Sequence, residues 1–78
     1  ATHSGAEVDL FWQEQGMNWA VEVKYADAPR LTPSMTSAIH DLDLAHLWVL
    51  YPGDSVYPLA PNVSVLPLAA VANRWEYA

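Results

Sequence analysis

Glu7-Val8-Asp9-Leu10-Phe11-Trp12 and Trp19-Ala20-Val21-Glu22-Val23-Lys24-Tyr25 are two consecutive runs in which residue character alternates along the chain. Alternation of this kind marks strands with distinct faces. Val8, Leu10 and Trp12 fall on one side of the first run, and Val21, Val23 and Tyr25 on one side of the second, which supplies an apolar face for a core. Glu7, Asp9, Glu22 and Lys24 fall on the other. Between the runs, Glu14-Gln15-Gly16-Met17-Asn18 is polar and holds one Gly, so it reads as a hairpin connection.

An even-numbered loop centred on Gln15 and Gly16 sets Asp9 directly opposite Glu22, and Glu7 opposite Lys24. Opposed residues on one face have Cβ atoms about 4.5–5.5 Å apart, where like charges repel. A shared divalent cation accounts for two facing carboxylates, because Mg²⁺ is held by one or two of them together with water and substrate phosphate. Lys24, beside Glu22, then suits stabilising a developing negative charge or orienting an attacking water. A plainer reading fits the same residues. Glu7 with Lys24 is then an ordinary cross-strand ion pair contributing about 0–1 kcal/mol, and Asp9 is simply solvated. A bulge or an odd-numbered loop shifts the register by one and parts the carboxylates.

The chain has 78 residues, enough for one small domain. Cores of this size rarely supply more than about 3–5 kcal/mol unaided. Cysteine is absent, which excludes disulfides and thiolate zinc sites. Yet 53% of the residues are hydrophobic, with four Trp and four Tyr, more apolar surface than so small a volume covers. Trp12, Trp19, Trp48 and Trp75 with their aliphatic neighbours therefore predict a homodimer, or cover from further chain. The net charge of −6, with only Lys24, Arg30 and Arg74 basic, argues against holding nucleic acid by phosphate contacts unaided. No signal peptide and no apolar run of about 20 residues is present, so a cytoplasmic location is expected and a membrane is not.

Along the rest of the chain, Ala1 to Gly5 reads as a frayed lead-in and Ala26 to Arg30 as a loop. Thr32 is a helix N-cap with Pro33 at the first helical position. Met35, Ala38, Ile39 and Leu42 then form an apolar stripe on a helix over 33–43, expected to pack on the Val21 and Val23 face, with His40 on the surface. His46 to Tyr51 is nearly continuous apolar and reads as a strand buried on both faces, parallel to the strand carrying Glu22 through a right-handed crossover. Asp54 to Asn62 reads as a loop, Val63 to Leu66 as a short edge strand ended by Pro67, and Leu68 to Trp75 as helix-prone. The fold class is thus α/β, a mixed sheet with an antiparallel hairpin and a βαβ crossover. Gly-rich phosphate loops, internal repeats and low-complexity segments are absent from the sequence.

An Asp strand, a Glu-x-Lys strand, a helix and a parallel strand in this order resemble the core of the PD-(D/E)xK nucleases, the restriction-endonuclease-like fold. The wider string is more specific. Ser4-Gly5-Ala6-Glu7-Val8-Asp9-Leu10, Trp19-Ala20-Val21-Glu22-Val23-Lys24, Tyr51-Pro52-Gly53-Asp54 and Tyr57-Pro58-Leu59 resemble the C-terminal domain of unknown function that follows the ATPase module in a group of bacterial and archaeal AAA+ ATPases. The likeness covers residues 4 to about 68. It implies Asp9 and Glu22 as ligands of Mg²⁺ or Mn²⁺ and Lys24 as the catalytic lysine. It further implies residues 1–78 as a single C-terminal nuclease-like fragment of a larger ATPase, lacking the helix and strand that open the nuclease core, and nucleic acid as a partner through the intact parent. Two functions follow from it: metal-dependent phosphodiester hydrolysis, or an inactive nuclease-like module that binds for or regulates the ATPase. The glutamine or second lysine that some of these nucleases carry on the following helix is missing, since that helix offers only Ser37, His40 and Asp41 on its polar side.

Overall fold

A computed structural model describes residues 8–70. The lead-in, Glu7 and its pairing with Lys24, and the segment holding Arg74 and Trp75 lie outside the described residues. The elements run β1 (Leu10–Glu14), β2 (Met17–Val23), α1 (Pro33–Asp41), β3 (Leu44–Tyr51), β4 (Tyr57–Ala60) and β5 (Val63–Pro67). They form one five-stranded mixed sheet in the order β1-β2-β3-β5-β4, with α1 on one face.

The hairpin closes through Gln15 and Gly16 alone. Both have positive φ, 55° and 76°, which is the two-residue turn whose twist matches that of the flanking strands. Pairing runs from Leu10↔Val21 to Glu14↔Met17 in the register expected of an even loop, although β1 starts later than the alternation implied. From Val23 the chain crosses through α1 into β3, which pairs with β2 in parallel, Glu22 lying beside Val49.

Thr32 caps α1, its hydroxyl accepting from the Met35 N–H at 3.2 Å, and Pro33 follows it. The helix stops at Asp41, short of the expected residue 43, because Asp43 turns left-handed with φ 52°. The Asn18 amide then donates to the Leu42 carbonyl at 2.8 Å and to that of Asp43 at 3.3 Å, so β2 satisfies carbonyls left over at the helix end.

The helix covers the opposite face of β2 from the one expected. Met35 and Ala38, both fully buried, pack with Ala20, Leu47, Val49, Val63 and Val65, which places α1 on the side carrying Glu22 rather than Val21 and Val23. Ala20 is small and its neighbours are aliphatic, so a helix can seat there. The other face carries Trp12, Trp19 and Trp48, with ring centroids 6.0 Å apart for Trp12–Trp48 and 5.6 Å for Trp19–Trp48.

Three further expectations change. β3 is buried on both faces only in its second half, since Leu47, Val49, Leu50 and Tyr51 are inaccessible while His46 and Trp48 are half-buried. The stretch 54–62, expected as a loop, contains β4. β5, expected at the edge, is interior between β3 and β4, and the edge position with its proline passes to β4 and Pro58. No helix among the described residues is long and apolar enough to cross a membrane.

Candidate functional site at the carboxyl end of β2

Because β2, β3 and β5 are parallel, their carboxyl ends share one edge of the sheet, and the start of the antiparallel β1 lies there too. Loops at such an edge are where open α/β sheets usually bind ligands. Asp9, Glu22 and Lys24 all sit at this edge.

Glu22 is the one buried charged residue among the described residues, 7% exposed, on the helix-covered face. Its Oε2 lies 2.8 Å from the Lys24 Nζ, and its Oε1 is buried with no hydrogen-bond partner. Lys24 extends the β2–β3 ladder, its N–H donating to the Leu50 carbonyl at 2.8 Å, which fixes its side chain on the same face as Glu22. A buried carboxylate needs a cation or several donors to remain charged at low cost.

Asp9 is held differently from expectation. The ladder ends at Leu10↔Val21, and Asp9 does not continue it as the direct partner of Glu22. Its N–H donates to the Val21 carbonyl at 2.9 Å, while its carboxylate accepts the Val23 N–H at 2.7 Å. Two successive residues of the first strand thus share Val21, a local bulge, and Val8 packs against the core. The three residues are gathered around the segment Glu22-Val23-Lys24, with Asp9 on the main chain between the other two. Among the described residues no group of three or more His, Cys, Asp or Glu side chains gathers as a ligand set. His40 is exposed beside Asp41 and takes no part in this edge.

The sequence reading missed how the adjoining loops are braced. Tyr51 is buried on the face of Glu22, one strand over from Lys24. Its hydroxyl accepts the Ser55 N–H at 2.9 Å, and its ring occupies the space a Cβ on Gly53 would need. Tyr57 meets that ring edge-on at 6.3 Å and donates to the Pro29 carbonyl at 2.8 Å, tying β4 to the loop after Lys24. The signal was present in Tyr51-Pro52-Gly53-Asp54 and Tyr57-Pro58, without any indication that the two tyrosines meet.

The signature of the Domain of unknown function (DUF4143) matches residues 1–71. The chain belongs to this family. Its DUF4143 sequence is 38% identical over 66 residues to an uncharacterized protein of Mycobacterium tuberculosis and, to the same extent, to one of Mycobacterium bovis. The match takes in 85% of this chain and 15% of each relative, so the domain spans a small part of the curated relatives it resembles. No solved structure matches it significantly.

Proposed function

We propose that this DUF4143 domain is a nuclease-like C-terminal module of a longer prokaryotic AAA+ ATPase, and that in the intact protein it hydrolyses phosphodiester bonds of nucleic acid with a divalent cation. The observation that carries the reading is the Glu22 carboxylate, buried with one oxygen on Lys24 and the other unpartnered. A carboxylate in that condition suits a hard cation, which takes oxygen ligands and fills the rest of its shell with water and substrate phosphate. Glu22 and the Asp9 oxygen not engaged by Val23 would hold Mg²⁺ or Mn²⁺, which would polarise the phosphate and activate water. Lys24 would neutralise charge building on the phosphoryl oxygens. Any nucleotide site, and the basic surface this acidic chain lacks, would belong to the rest of the parent.

The test is cleavage of single- and double-stranded DNA and RNA by the intact parent with Mn²⁺ or Mg²⁺. Metal-dependent cleavage is expected in the wild type, with loss in Glu22→Gln and Asp9→Asn. Lys24→Ala is expected to keep metal binding and lose turnover. Failure of any metal to bind or to support cleavage refutes the reading.

A second reading, an inactive nuclease-like module that binds for or regulates the ATPase, is favoured by two observations. Asp9 already spends one oxygen on the Val23 N–H, and the chain carries −6. Metal binding without cleavage in the parent would select it.

A further inference from the structure

Resting on the nucleic-acid reading above, we infer that the substrate is single-stranded nucleic acid, with an unpaired base stacked on Tyr25 and the phosphates beside it held by Lys24 and Arg30. An acidic chain has little positive charge to place, and its placement here is informative. Of the three Lys and Arg residues, Lys24 and Arg30 bound the segment 24–30, which leaves β2 at the candidate site. Tyr25 lies between them at 81% exposure, the most exposed large apolar side chain among the described residues.

The segment is pinned at both ends. The Lys24 N–H donates to the Leu50 carbonyl at 2.8 Å, and the carbonyl of buried Pro29 accepts the Tyr57 hydroxyl at 2.8 Å. Residues 25–28 between those ties are exposed, so the Tyr25 ring is carried outward one residue along from Lys24 and its buried partner Glu22. α1 starts at the same edge, because the crossover must return to the amino end of parallel β3, and its first turn carries no acidic residue. Its positive dipole end therefore adds to the two cations.

An exposed ring flanked by cations fits a ligand that carries a π-face with negative charge on either side, which is a nucleotide within a strand. In a duplex both faces of each base are taken by neighbouring bases, so only an unpaired base can stack on a side chain. Double helices are instead held through rows of phosphates by many Lys and Arg residues. Two cations do not supply that. Asp27 within the segment and Asp54 beyond β3, both exposed at this edge, restrict it further and leave room for phosphates only next to Lys24 and Arg30. Stacking makes up the difference, and it tolerates any base.

The test uses the intact parent and fluorescence anisotropy with labelled DNA and RNA oligonucleotides at low salt without metal, so that binding is read apart from cleavage. Single strands should bind more tightly than blunt duplexes of the same sequence, and the sugar bound better names the nucleic acid. Tyr25→Ala, at an exposed position where the thermal melt should not move, should weaken single-strand binding about 5- to 150-fold, the worth of one stacked base, and Tyr25→Phe should restore it. Arg30→Gln should flatten the salt dependence of single-strand binding by about 0.7 in the log–log slope, one phosphate contact. Cleavage after addition of Mn²⁺ should follow the same preferences. Single-strand binding that depends on Tyr25 without any cleavage removes the hydrolytic reading and leaves this inference standing, whereas cleavage indifferent to Tyr25 does the reverse. No single-strand binding, duplexes bound as tightly as single strands, Tyr25→Ala binding like wild type, or a salt slope untouched by Arg30→Gln overturns the inference.

Discussion

Lys24→Met keeps the aliphatic stem of the side chain and removes its ammonium, leaving the Glu22 carboxylate with neither oxygen on that cation. Glu22 is the buried partner, its side chain 9% exposed against 38% for Lys24. Stranding a charge by removing its partner costs about 3–5 kcal/mol where both groups are buried. Water reaches the Lys24 position and offsets part of that, so we expect about 1–3 kcal/mol. For a domain of this size each kcal/mol moves the melting temperature by about 4–8 °C, so the variant should melt several degrees to about 20 °C lower. The cause is tested by the double substitution Glu22→Leu with Lys24→Met. An apolar pair in place of a buried ion pair is often neutral or stabilising, so the double variant should recover most of the loss in urea and thermal unfolding. A single variant within about 0.5 kcal/mol of wild type, or a double variant at the sum of the two single losses, refutes the picture of a buried carboxylate held by Lys24.

Asp9→Ala removes the acceptor for the Val23 N–H and should cost about 0.5–1.5 kcal/mol in urea unfolding, whereas Asp9→Asn keeps an acceptor oxygen and should cost less; equal losses would count against the hydrogen bond to Val23 as what Asp9 contributes. Gly53→Ala drives a methyl group into the buried Tyr51 ring and should cost about 1–3 kcal/mol by thermal melting, and a neutral result would mean that the ring can swing away. His46, half-buried on Trp48 and 2.8 Å from the Ser64 hydroxyl, has its pKa held below the ordinary 6.5 by desolvation. Its neutral form is favoured by folding, so the contribution is complete above pH 6.5 and is lost as pH falls through the lower folded value. Acid destabilisation over that window should be shallower in His46→Gln, and identical slopes would exclude His46 as a source.

Much of this fold is legible in the residues because its signals are local. Thr32-Pro33 marks the helix start, the Met35-Ala38 spacing marks its inner stripe, and a positive-φ turn at Gln15-Gly16 sets the hairpin register. What escapes the sequence is what only packing decides. β2 is apolar enough on both faces, with Ala20 on one side and Trp19 and Val21 on the other, that alternation does not say which face the helix covers. Tyr57-Pro58 is punctuated as a loop, yet Tyr57 begins a strand because β5 offers it a ladder and Pro29 a carbonyl.

The candidate site divides in the same way. Its residue types are readable, but the opposition of Asp9 and Glu22 depends on one residue of register, and the bulge at Asp9 removes it. That bulge bears on the chemistry. Facing carboxylates would require a cation to suppress their repulsion, whereas the chain engages each acid with its own groups: a main-chain N–H on Asp9 and an ammonium on Glu22. A divalent ion would therefore have to compete with Lys24 for Oε2 of Glu22, leaving the buried Oε1 of Glu22 and the Asp9 oxygen not engaged by Val23 as the atoms it gains outright. Metal affinity should accordingly rise in Lys24→Met even as turnover falls, a separation of binding from catalysis that calorimetric titration of the intact parent with Mn²⁺ would read directly. Weaker binding in that variant would mean that Lys24 organises the site rather than occupying it.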